Sequence, residues 1–240
     1  MKVSQTQKAK IQQALLEAAT ALFVEKGFQS TTMREISTRA GYSAGTIYSY
    51  FPSKDRIFFA YFDEKQGALF DTIRDIDAFD SFTIKEKLQT VLEVQLEHYL
   101  ADREFVGCAF KALMDSPLRS FSELKKTKDR FAAEVERYFE AAVAAKEVPP
   151  QPFDRFFSHL FWDYRNLIVL YWLRDDSVGF ANTSRLIDMS LDVFVAAIQS
   201  DIVTKTWDVV LFLFKSHLFG NIDRLFDLVG AVGWMRRDEG

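Results

Sequence analysis

The sequence predicts an all-α protein: an N-terminal three-helix helix-turn-helix domain followed by a larger helical domain. Three observations carry this reading. Apolar residues recur at spacings of three and four along most of the chain, the period of a helix with one buried face. Only ten glycines and five prolines occur in 240 residues, too few for a turn-rich β protein. No alternating, strand-like run is present. With 48% hydrophobic residues and a net charge of −4, the chain is not disordered, and its length suits one large domain or two small ones. A single cysteine, Cys108, excludes a disulfide framework. With three histidines scattered at 98, 159 and 217, neither a metal nor a cofactor is expected.

In the first helix, from about Lys8 to Lys26, Ile11, Leu15, Ala18 and Leu22 form the apolar face, and Gly27 stops it. Phe28 folds back as an anchor. Thr32 and Glu35 form the Thr-x-x-Glu capping box that opens a second helix, whose face is Met33, Ile36 and Ala40 and whose end is Gly41. Ser43 is a good N-cap for a third helix, Ala44 to about Phe51, anchored through Ile47 and Phe51. Pro52 ends that helix and Ser53 caps the next. Two short helices joined by a glycine-containing turn make a helix-turn-helix, whose second helix suits a major groove.

Charge follows the same division. Residues 1–56 hold eight Lys/Arg and four Asp/Glu, a net of +4, against −8 for the remainder. Three of the 24 phenylalanines precede residue 57. A basic head on an acidic, aromatic body predicts that the head meets a polyanion. Domains are accordingly expected at 1–52 and 53–240.

Beyond Ser53 the pattern stays helical, with a long segment to about Asp77 and helices at about 83–101, 104–115, 120–147, 153–174, 183–201 and 203–219. A short one is expected near 221–230, and Arg236 to Gly240 are expected to be disordered. Segment 153–174 is apolar almost all round, so it must be covered on both sides. The residues from Met1 to Lys10 are polar and basic with no apolar signal core behind them. The longest apolar runs, Leu167 to Leu173 and Val209 to Phe214, fall far short of the roughly 20 residues of a membrane helix. A soluble, cytoplasmic protein without membrane contact is expected.

Phe23-x3-Gly27-Phe28, Thr31-Thr32-x-x-Glu35-Ile36-x3-Ala40-Gly41 and Gly45-Thr46-Ile47-Tyr48-x-Tyr50-Phe51-x-Ser53-Lys54 strongly resemble the N-terminal domain of the TetR family of bacterial regulators. The resemblance covers about residues 8–58; the remainder agrees in length and helicity. It implies a non-enzymatic, ligand-responsive regulator, a repressor released from a palindromic double-stranded operator by an apolar or aromatic small molecule. An activator, or a DNA binder with no effector, is the alternative.

The DNA-facing residues are expected to be Thr31, Thr32, Arg34, Ser43, Ala44, Gly45, Thr46, Tyr48, Ser49, Tyr50 and Lys54. Thr31 and Thr32 lie at a helix N-terminus, where anions are favoured, although Thr32 is explained equally by its capping box. Arg34 matches a position that in some relatives reads a guanine edge, and Lys54 one that touches phosphate. Tyr48 and Tyr50 serve packing or DNA, with Tyr50 the more buried. Gly45 either admits a close approach to DNA or relieves crowding.

The same resemblance implies a homodimer through about 153–174 and 183–201, with Phe194 in its seam, against a large monomeric core as the rival reading. It also implies an inducer pocket between the head and that pair. Candidate lining residues are Phe62, His98, Tyr99, Cys108, Phe110, Tyr138, His159 and Asn166, in surroundings rich in aromatics and poor in buried charge.

Two readings of other classes compete. Gly41-x-Ser43-x-Gly45 satisfies the nucleophile-elbow pattern of α/β-hydrolases, which needs a preceding strand that the sequence lacks. A helical ligand-binding protein without DNA function is the other. The effector, the operator and the role of the chain beyond about residue 203 are not legible in the sequence.

Overall fold

The computed structural model describes residues 4–114, 117–150 and 154–200, with the backbone alone described at 117–122 and 154. The helices expected at 203–219 and 221–230, and the disorder expected at 236–240, lie outside the described residues. Those residues form α-helices and two short 3-10 turns, with no strand among them. The hydrolase reading of Ser43 therefore lacks its strand: a capped helix precedes the motif.

The first helix, α1 (Gln5–Lys26), starts earlier than the apolar pattern because the Ser4 hydroxyl accepts the Gln7 N–H at 3.1 Å. Gly27 ends it with φ of 82°, a conformation other residues adopt only with strain. Helix α2 (Met33–Arg39) opens on the predicted capping box: the Thr32 hydroxyl accepts from Glu35 N, and the Glu35 carboxylate accepts from Thr32 N at 2.8 Å. A turn through Gly41, with φ of 79°, leads to α3 (Ala44–Tyr50). Ser43 occupies the N-cap position, but its hydroxyl pairs with the Thr46 hydroxyl at 2.9 Å and caps no backbone N–H, a correction to its expected role.

The body begins with α4 (Lys54–Arg74) and continues through α5 (Ile84–Leu100), α6 (Arg103–Met114), α7 (Pro117–Ala144), α8 (Asp154–Trp172) and α9 (Ala181–Gln199). Helix α5 opens on a second capping box, Thr83 with Glu86. Its Thr-x-x-Glu spacing stood in the sequence and went unread.

Buried side chains fall into two clusters. One joins the far part of α4 to α5, α7, α8 and α9. The other belongs to the head but does not stop at residue 52. It takes in Ile57, Phe58, Tyr61 and Phe62 of α4, Tyr99, Phe105 and Val106, and then Val169 and Trp172 of α8. At its centre Phe58 meets Phe23, Phe28 and Phe105 with ring centroids 5.2, 4.7 and 5.6 Å away.

The α8–α9 turn is held by Asp175, which is buried. Its carboxylate accepts from Ser177 N and Oγ at 3.0 and 2.6 Å, and from Thr183 N and Oγ1 at 2.8 and 2.6 Å. Those bonds, the Ser177 hydroxyl foremost, hold its pKa well below the usual carboxylate range. A depressed pKa contributes stability above the unfolded value, near 4, that is lost as pH falls through the folded value. Asp175→Asn is therefore expected to lower the melting temperature at neutral pH. The gap from the parent protein should close in strong acid, where the parent carboxylate also protonates. Melting curves over a pH series measure this; a gap that stays constant with pH would show that the charge is not responsible.

Helix α8 resolves into two apolar faces. Phe157, Phe161, Trp162, Ile168, Val169 and Trp172 turn into the protomer, whereas Phe156, Leu160, Leu167 and Tyr171 are exposed. On α9, Ile187, Leu191, Val195 and Ile198 are buried and Leu186, Met189 and Val193 are exposed. Phe194 belongs to the inward side. Its ring packs against Phe139 and Phe157, with centroids 6.2 and 5.8 Å away, so its placement in an outer seam is corrected.

Candidate DNA-reading head and effector cavity

Helix α3 is anchored from below by Ile47, fully buried, and by Phe51 just after it. The turn before it is fixed by Ser37, whose buried hydroxyl donates to Tyr42 O at 3.1 Å, while Tyr42 N donates to Ser37 O at 2.9 Å. The opposite face is left outward: Ser43, Ala44, Gly45, Tyr48 and Ser49 are exposed, and Thr46 and Tyr50 are half-buried. Tyr48 is 57% exposed, whereas Tyr50 packs on the head cluster. A Cβ added at Gly45 meets nothing within 4 Å, so relief of internal crowding does not explain this glycine.

Thr31 does not fit its expected role. It is buried, and its hydroxyl donates to Gly27 O at 2.9 Å and Leu22 O at 3.2 Å, closing the α1–α2 loop. It has no surface to offer a phosphate. Thr32 stays exposed beside Arg34, which is also exposed and makes no ion pair among the described residues.

Four other cations of the head and of the start of α4 are engaged, whereas Lys8 and Lys10 are exposed. Arg39 forks onto Glu25 at 2.6 and 2.7 Å, and Lys26 pairs with Glu35. The Lys26 ammonium, then the Thr32 groups, hold Glu35 down to about 2. Arg56 pairs with Glu123 of α7. Lys54 donates to Phe28 O at 2.6 Å and Gln29 O at 3.2 Å, and lies 4.6 Å over the Phe28 ring. Burial lowers its pKa. Its ammonium thus clasps the α1–α2 loop, a role the sequence reading missed.

In the body, one cavity of about 270 Å³ brings together Phe62, Tyr99, Phe110 and Asn166 from the expected set. Leu113, Met114, Leu124, Trp162, Arg165 and Leu170 complete it. The other candidates lie elsewhere. His98 Nε2 meets Thr72 Oγ1 at 3.2 Å, with its pKa lowered by burial. The Cys108 thiol faces Phe23 O of α1 at 4.0 Å. Tyr138 stacks edge-on against Phe79 at 5.4 Å and lines a separate groove with Arg137. His159 is half-buried on α8, outside the cavity lining. A larger groove, about 710 Å³ between α1 and the α4–α6 side, mixes Glu17, Glu64, Lys65 and Asp102 with Leu16, Val24, Leu100 and Phe105.

Arg165 is one of the few buried charges among the described residues, with Lys87 and Asp175. It is 5% exposed, and its guanidinium stacks on Trp162 and Phe131 at 3.9 and 4.6 Å. Burial pushes its pKa down to about 10, so it remains a cation at neutral pH.

A reading helix bared on one face, on a head seated against a helical body with an apolar cavity, defines a helix-turn-helix DNA-binding regulator. Residues 15–61 match the family described as bacterial regulatory proteins, tetR family, and residues 87–213 match the tetracyclin repressor-like C-terminal domain. The chain belongs to the TetR family of transcriptional regulators, which are DNA-binding proteins and not enzymes.

Among curated relatives, the uncharacterized HTH-type regulator YfiR of Bacillus subtilis is 42% identical over 24% of this chain and 28% of its own length. The HTH-type transcriptional repressor KstR2 of Mycobacterium tuberculosis is 44% identical over 18% of this chain and 22% of its own. The chain thus spans about a quarter of the length of these two relatives. Solved structures share the fold at greater length. A TetR-family regulator from Syntrophomonas wolfei superposes with a TM-score of 0.66 at 16% identity, covering 79% of this chain and 97% of that one. The regulator FadR from Bacillus subtilis, solved in complex with stearoyl-CoA, gives 0.61 at 20% identity, covering 78% and 98%. No helix among the described residues is long and apolar enough to cross a membrane.

Proposed function

We propose that the protein is a homodimeric repressor that occupies a palindromic operator in the cytoplasm and leaves it when a small molecule enters the α4–α8 cavity. The observation that carries this reading is the course of α4. One unbroken helix supplies Ile57 and Phe58 to the head core and, one turn on, Phe62 to the cavity lining. A ligand that displaces Phe62 tilts the helix on which the head is built. If it prefers the head spacing that does not fit DNA, it must weaken operator binding by the same factor.

The dimer reading is supported by the outward apolar faces of α8 and α9, which a second copy related by a two-fold axis covers. A two-fold dimer also suits a palindromic operator, whose half-sites lie about one DNA turn apart, roughly 34–36 Å. Repression is favoured because KstR2, which matches over 18% of this chain, is named a repressor.

In the head, Arg34 reads a base edge, and Thr32, Ala44, Gly45, Thr46, Tyr48 and Ser49 follow the backbone. Arg34→Ala is expected to cost about 1–3 kcal/mol of operator affinity and to relax preference at one base pair per half-site. Lys54→Ala is expected to lower the melting temperature without DNA, because it frees two loop carbonyls. Titrations against operator variants, with a reporter driven from the protein's own promoter, test the reading. Uniform loss across variants would make Arg34 a phosphate contact, and reporter output that falls on deletion of the gene would make the protein an activator.

A further inference from the structure

We propose that the cavity takes a small amphipathic acid, its carboxylate on Arg165 and its apolar part against Phe62, Phe110, Leu113 and Leu170. This rests on the ligand-responsive reading above and names the chemical class of the ligand. The Arg165 guanidinium carries five N–H donors. Among the described residues only two neutral oxygens meet them, Gln95 Oε1 at 3.3 Å and Asn166 Oδ1 at 3.2 Å. Arg165 Nε and Gln95 Nε2 are buried without a hydrogen-bond partner there. No carboxylate of the described residues forms an ion pair with Arg165. Asp163, two residues away, pairs instead with Lys128 at 2.9 Å.

A buried cation without an anion is a strongly disfavoured arrangement, and ring stacking offsets only part of the desolvation. The planar fork matches the two oxygens of a carboxylate, which restores the missing charge and accepts N–H groups the protein leaves over. The rest of the lining is apolar apart from the Tyr99 and Asn166 groups. At about 270 Å³ the cavity suits one ring or a short chain. Met114, 63% exposed, marks its mouth.

The experiment measures binding of octanoate and phenylacetate, each beside its alcohol, octanol and phenylethanol, to the full-length protein and to Arg165→Met by calorimetry and thermal shift. Methionine fills the space without charge, so the variant is expected to fold. At least one acid should bind the parent protein tenfold or more tightly than its alcohol, and Arg165→Met should bring that pair level. Alcohols that bind as well as the acids, acids that do not bind, or an acid preference that survives in Arg165→Met would each overturn the assignment. The comparison within the parent protein stands even if the variant does not fold. Operator affinity is read separately: acid binding that leaves the operator complex intact supports the anion site and counts against ligand release.

Discussion

Replacing Leu167 and Val193 together by glutamate is expected to leave a folded monomer whose operator affinity has fallen roughly 100- to 10,000-fold, the range by which bivalent attachment exceeds a single contact. The two side chains are 63% and 71% exposed on the outer faces of α8 and α9, so neither is needed for the protomer's own core. Across a two-fold seam each carboxylate appears twice, facing apolar surface from which it cannot reach water. Sedimentation at several concentrations gives the assembly state, and far-UV circular dichroism checks that the helices persist. A variant that sediments as a dimer would take this surface out of the interface. Phe194→Glu answers a different question: placed between Phe139 and Phe157, its carboxylate attacks the protomer interior and is expected to unfold the body.

Phe58→Ala is expected to lower unfolding stability by about 3–5 kcal/mol, a large share of an ordinary domain's margin. The ring is fully buried among Phe23, Phe28 and Phe105, and removing it opens a cavity bordered by α1, α4 and α6 at once. Because those rings join head to body, the loss should appear as one cooperative shift. All four tryptophans, Trp172 of the same cluster among them, follow residue 160, so tryptophan fluorescence reads the body side, while amide exchange over residues 8–50 reads the head. A head that melts first, with the tryptophan transition unmoved, would show that the junction does not couple them.

The head was legible because its signals are local. The Thr32–Glu35 box, the glycines at 27 and 41 and the Ile47–Phe51 pair each act within a few residues, and the helices they predict are those found. What failed there depended on neighbours from elsewhere in the chain: Thr31 is buried by the bend of the loop, and Lys54 is drawn to carbonyls some 25 residues earlier. In the body, helix positions were legible and side-chain destinations were not. His98, Cys108, Tyr138 and His159 have the chemistry of pocket residues, but only tertiary packing decides which way each faces. Arg165 was missed although a signal existed. It sits on the stripe Phe161, Trp162, Ile168, Val169, Trp172, so the helical period alone placed a cation in the interior.

The aromatic junction also sets what can be exchanged between relatives. The family model for the DNA-binding part covers residues 15–61, which invites transplanting residues 1–52 onto another body to give it a new operator. Cut there, the graft leaves Phe23 and Phe28 without Phe58 and Phe105, and bares on the recipient whatever surface its own head had covered. The smallest transferable piece runs on through Phe62 and needs an aromatic at the place of Phe105 to receive it. A chimera joined inside α4 after that point keeps the cluster whole. One joined at the proline keeps the reading helix and loses its seat.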